Sequence, residues 1–101
     1  MADAELIEHI DADLEELIPR FMENTRKDVA GLRRALESGD FETVKRLGHS
    51  TKGAAYGYGF TGLGEIGLKI ETVAPGKNRS QLTGLIAEME HYLDHVKVAF
   101  G

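Results

Sequence analysis

His49 is the residue around which chemistry could be built. It lies in the run from Phe41 to Tyr58, where Phe41, Val44, Leu47, Gly48, Thr51, Ala54, Ala55 and Tyr58 recur on one side at helical spacing. On a wheel of about 100° per residue, His49 falls about 160° from the centre of that face, so its ring is expected in solvent. Lys45 precedes it by one turn, Lys52 and Gly53 follow by one turn, and Tyr56 shares the same side. A solvent-facing imidazole near neutral pH is largely uncharged and has a lone pair with which to attack phosphorus. The product is a phosphoramidate, whose added charge a nearby ammonium would balance; Lys52 is the first candidate and Lys45 the second. Glycine in a helix interior costs about 1 kcal/mol against alanine, so Gly53 points to clearance beside the imidazole or a close backbone approach. The plainer alternatives are an ordinary solvated face for His49 and the lysines, and helix packing for Gly53.

The elements that must position these residues read as helices. A first stripe, Leu14, Leu17, Ile18, Phe21, Val29, Leu32 and Leu36, begins after Asp11, a suitable N-cap. Pro19 sits inside it without breaking its phase, which predicts one helix kinked near Pro19. Ser38-Gly39-Asp40 ends that helix and caps the next, which runs from Phe41 to about Gly57-Tyr58-Gly59. A third stripe is Leu63, Ile66, Ile70 and Val73, followed by the break Ala74-Pro75-Gly76-Lys77-Asn78. The fourth is Leu82, Leu85, Ile86, Met89, Tyr92, Leu93 and Val96, extending toward Phe100, with Ser80 as its expected cap. No stretch alternates at period two. Four amphipathic helices with short connections predict an all-α, antiparallel four-helix bundle, one domain over 1–101. Leu6, Ile7 and Ile10 in the first ten residues would add a short extra turn packed on the bundle.

Composition narrows the possible functions. The chain has 101 residues, and its 17 acidic against 12 basic side chains leave a net charge of −5, the wrong sign for a duplex nucleic-acid binder. Without cysteine there is no disulfide framework, thiolate metal site or cysteine nucleophile. No secretory leader opens the chain and no apolar run is long enough for a membrane span, so the expected compartment is the cytoplasm. No acidic residue lies between Glu42 and Glu65, so Lys45, Arg46 and Lys52 form a basic island suited to one phosphoryl group and a partner with an acidic active site. Two glycine triplets, Gly57/Gly59/Gly62 and Gly62/Gly64/Gly67, copy the dinucleotide-binding spacing but lack its strand–turn–helix context, and small packing residues explain them better. His91 and His95, one turn apart with Asp94 beside them, have no convincing third ligand, so no metal is expected.

His49-Ser50-Thr51-Lys52-Gly53, then Gly59, Leu63 and Ile70-Glu71, resembles the histidine-containing phosphotransfer (HPt) domain family. The match is close over 41–75, and the helical organisation extends it to nearly the whole chain. Two positions depart from the common pattern: Gly48 where alanine is frequent, and Thr51 where a larger aliphatic is frequent. The resemblance implies a phosphocarrier in a multistep phosphorelay, with His49 as phosphoacceptor. It implies that Glu71, on the third helix, accepts the Nδ1–H of His49, fixing the tautomer and leaving Nε2 free to attack. Lys52 would compensate charge, with docking on the exposed sides of the second and third helices and part of the first. Lys45, Gly53, Tyr56, Gly64 and Leu68 are the candidate contacts there. The implied partners are a response-regulator receiver domain and a hybrid sensor histidine kinase, with no cofactor and no ATP site in this chain; magnesium would come from the receiver. A monomer that binds neither nucleic acid nor membrane is expected. The rival readings are a helical adaptor or inhibitor that keeps the docking face without the chemistry, and a bundle binding metal through His91 and His95.

Overall fold

The computed structural model describes residues 6–101. Four helices, α1 (Ile18–Ser38), α2 (Phe41–Tyr58), α3 (Thr61–Val73) and α4 (Arg79–His95), pack into a helical bundle. Each apolar stripe meets the others in one core, whose fully covered side chains include Leu32, Val44, Leu63, Ile70, Leu82 and Met89. Ala54, expected on the apolar face of α2, is exposed at its edge, while Thr51 and Gly48 are buried as expected.

The caps explain the boundaries. Gly39 and Gly59 end α1 and α2 with φ of 75° and 101°, the left-handed conformation glycine adopts without steric cost. Asp40 caps α2. Asn78, not Ser80, caps α4 by accepting the Gln81 N–H at 3.0 Å, so that helix starts earlier than expected and Ser80 lies inside it. Phe60, between α2 and α3, stacks on Phe21 of α1 with centroids 5.0 Å apart and ties the α2–α3 corner to the core.

Two expectations for the chain's first part are corrected. Pro19 does not kink a continuous helix. Ala12–Leu17 is a 3-10 segment capped by Asp11, and Pro19 lies in the first turn of α1, where its missing N–H costs nothing. The extra N-terminal turn is instead a strand: β1 (Ile7–Ile10) pairs in parallel with β2 (Lys97–Phe100), Ile7 opposite Lys97 and Ile10 opposite Phe100. Four-residue strands are too short to show a period, and this pairing joins distant ends of the chain, so local pattern does not reveal it. Residues 1–5 of the expected turn lie outside the described residues. Among the described residues no helix is long and apolar enough to cross a membrane.

Candidate functional site

α2 holds His49 at its middle, and its start is firmly fixed. The Asp40 carboxylate accepts the Thr43 hydroxyl at 2.6 Å and the Thr43 N–H at 3.1 Å, and these bonds hold its carboxyl below the usual range. His49 then projects from the helix with its side chain 66% exposed. Glu71 reaches across from α3. Its Oε2 lies 2.8 Å from His49 Nδ1, and its Oε1 accepts a hydrogen bond from Lys52 Nζ at 2.7 Å. One carboxylate therefore bridges the imidazole and the ammonium.

The electrostatics decide the proton's position. The hydrogen bond from Lys52, reinforced by His49 and opposed by partial burial, holds the Glu71 carboxyl below the ordinary carboxylate range. Glu71 is then an ionised, acceptor-only group at neutral pH, so the Nδ1 facing it must carry the hydrogen. In a neutral ring that leaves the lone pair on Nε2, the nitrogen directed away from Glu71.

α3 is positioned at its own start by a residue far away in sequence. Phe60, its N-cap, offers no side-chain hydrogen bond. Glu8 of β1 substitutes: its Oε2 accepts the Gly62 N–H at 2.8 Å and also the Tyr92 hydroxyl of α4. Burial, and then the Glu8 carboxylate, push the Tyr92 hydroxyl upward, so it remains a donor. The terminal strand pair thus helps hold the helix that carries Glu71.

The remaining candidates lie on α2 and α3. A Cβ at Gly53 would meet nothing within 4 Å, so the space beside the imidazole is open. Tyr56, 44% exposed, lays its ring against Gly64, where a methyl group would lie 2.6 Å from a ring carbon; Gly64 is itself buried. Leu68 is 43% exposed on α3. Lys45 lies toward the N-terminal end of α2, in a groove with Phe41, Glu42, Pro75 and Lys77. On the opposite side of α2, the buried Thr51 hydroxyl faces Asp28 Oδ2 of α1 at 3.4 Å, and burial raises the Asp28 carboxyl.

Sequence reasoning did not find the roles of Glu8, Tyr92 or Gly67. Gly67 meets Gly48 where α2 and α3 cross, and the only sequence signal for it is the density of glycines between Gly57 and Gly67. The rings of His91 and His95 stack with centroids 4.1 Å apart, and His95 Nδ1 lies 2.8 Å from the His91 carbonyl oxygen. Asp94 turns to Arg26 at 2.8 Å instead. Among the described residues no group of three or more metal-ligating side chains gathers.

A family model, that of the Hpt domain, matches residues 16–99. No curated protein and no solved structure matches the chain.

Proposed function

Because the chain belongs to the Hpt-domain family, and is therefore a histidine phosphotransfer module of phosphorelay signalling, we propose that His49 is its phosphoacceptor. The donor is a phosphorylated receiver aspartate or a sensor kinase, and the acceptor is a response-regulator receiver aspartate. The His49–Glu71 hydrogen bond carries this reading.

The Nε2 lone pair attacks phosphorus, the N–P bond forms, and the P–O bond to the aspartyl carboxylate breaks with its electron pair leaving on that oxygen. No proton needs to leave the ring, because the attacking nitrogen carries none. The ring, still protonated on Nδ1, becomes cationic, and the Glu71 carboxylate 2.8 Å away stabilises that charge as it develops. Return of the phosphoryl group to an aspartate reverses each step. Lys52, one turn from His49 and bonded to the same Glu71 carboxylate, keeps a positive charge close to the ring that receives the phosphoryl group. A phosphocarrier of this kind leaves the metal and the transition-state positioning to the receiver.

The exposed Tyr56 and Leu68, together with the open space over Gly53 and with Lys45 toward the start of α2, form the docking face. The short connections between successive helices support an antiparallel arrangement of the four. An adaptor that never carried phosphate would have no use for an imidazole whose tautomer is fixed by a carboxylate. The test is incubation with phosphorylated receivers and sensor kinases. Wild type should acquire an acid-labile label and His49→Gln none; equal labelling of the two would remove His49 from the mechanism.

A further inference from the structure

The glycines around the site are of three physical kinds. Gly53 faces open space. Gly64 faces the ring of an exposed tyrosine, which can swing aside. Gly48 and Gly67 face the opposing helix. A Cβ on Gly67 would lie 2.9 Å from the Gly48 carbonyl oxygen, 2.9 Å from Lys52 N and 3.1 Å from Lys52 Cα, all backbone atoms. A Cβ on Gly48 would lie 2.9 Å from Ile70 Cγ2, 3.0 Å from Glu71 N and 3.1 Å from the Gly67 carbonyl oxygen. Backbone cannot rotate out of the way, so a methyl group at Gly67 must push the helices apart.

The atoms in these contacts belong to the site. Gly48 immediately precedes His49, and the backbones that would be pushed are those of Lys52 and Glu71. Helix axes normally pack about 8–10 Å apart according to the side chains between them, and removing both side chains lets the backbones close. A hydrogen bond tolerates only a few tenths of an ångström of lengthening before it weakens, and the bond at stake spans these two helices at 2.8 Å.

We propose that Gly48 and Gly67 are positioning residues for phosphotransfer. Their glycine-on-glycine crossing sets the α2–α3 separation at which Glu71 captures the His49 Nδ1–H and the Lys52 ammonium together. This deepens the phosphocarrier reading and rests on it for its kinetic consequence. The geometric claim stands apart: the tautomer of the free imidazole depends on Gly67 whether or not the chain is a phosphocarrier. A purely structural role for the pair predicts lost stability with an unaltered tautomer.

The experiment uses the full chain, labelled with nitrogen-15, at a pH where the His49 ring is neutral. Long-range proton–nitrogen spectra give the Nδ1–H tautomer fraction, and phosphoramidate serves as a small phosphoryl donor for the rate. Gly67→Ala should lower the Nδ1–H fraction toward that of Glu71→Ala. It should also slow phosphorylation by about tenfold, the equivalent of one charge-assisted hydrogen bond worth about 1.4 kcal/mol. In a Glu71→Ala background, Gly67→Ala should change neither quantity further, because the bond it acts through is already gone. Gly48→Ala, whose backbone contacts at 3.0 and 3.1 Å are looser than the 2.9 Å ones of Gly67, should give a smaller shift in the same direction, and it decides the matter if Gly67→Ala fails to fold. Ile86→Val in α4 should lose stability and leave the tautomer unchanged.

Folded glycine variants with the wild-type tautomer fraction would overturn the proposal. So would an effect of Gly67→Ala that persists undiminished without Glu71. If the wild-type chain takes phosphate from neither phosphoramidate nor any receiver while its tautomer still responds to Gly67→Ala, the phosphocarrier reading falls and the positioning role stands.

Discussion

Replacing Gly53 by alanine should make this protein more stable and less active. Gly53 lies in the interior of α2, 12 residues after its start, with a helical backbone and nothing within 4 Å of where a Cβ would go. A methyl group there meets no neighbour within the chain, so the substitution takes the full difference in helix propensity, about 1 kcal/mol in favour of alanine. For a chain of this size that gain raises Tm by about 4–8 °C. The same methyl group stands one turn from His49, on the face proposed for docking. Overfilling a close-fitting contact costs about 1–3 kcal/mol, so phosphotransfer to a receiver should slow by about tenfold or more. Gly84 provides the control. It is also helical with nothing within 4 Å, but it lies on α4, which contributes no residue to the His49–Glu71–Lys52 cluster. Gly84→Ala should match the stability gain and leave the transfer rate unchanged. Thermal unfolding by circular dichroism and a receiver-coupled transfer assay make the comparison. A loss of stability in Gly53→Ala would mean the space is not open, and a gain with an unchanged transfer rate would refute the clearance argument.

Other outcomes follow from the same geometry. Lys52→Ala should slow transfer without lowering helical content, because alanine favours the helix and Glu71, the partner of Lys52, remains bonded to His49; a gross loss of helicity would contradict this. Asn78→Ala should destabilise the protein by about 1 kcal/mol, whereas Ser80→Ala should fall within about 0.5 kcal/mol of wild type, as chemical denaturation would read. Asp28 is raised by burial, so the folded state prefers it protonated. Its ionisation costs stability as pH rises through its elevated value, and Asp28→Asn should raise Tm at pH 7 and lose that advantage in acid. Glu71 is depressed, mainly by the Lys52 hydrogen bond, so its contribution is present above the ordinary glutamate range and lost as pH falls through the lowered value. In Glu71→Gln that part of the acid dependence of stability should be absent.

Much of the site was legible in the residues because helical periodicity is a local property. The phase of Phe41, Val44, Leu47 and Thr51 is enough to place His49 outward, since each residue's direction depends only on its position along one helix. Gly39, Asp40 and Gly59 mark their boundaries because a left-handed residue or a capping carboxylate acts within a few residues of itself. Pro19 misleads for a related reason: periodicity continues through a 3-10 segment into an α-helix, and only the backbone shows where one becomes the other. Ser80 misleads because Asn78, two residues earlier, competes for the same capping function.

The sequence alone determined that an imidazole would stand on the open side of a helix, with basic neighbours at one-turn spacing. Helical repeat and the segregation of apolar side chains require no partner to act. Tertiary structure decided what touches that imidazole. The Glu71 bond spans two helices, the separation that permits it comes from Gly48 meeting Gly67, and the start of α3 is held by Glu8 from a strand near the other end of the chain. Contacts between residues distant in sequence depend on how whole elements pack, and no local pattern encodes a distance of a few tenths of an ångström between two helices.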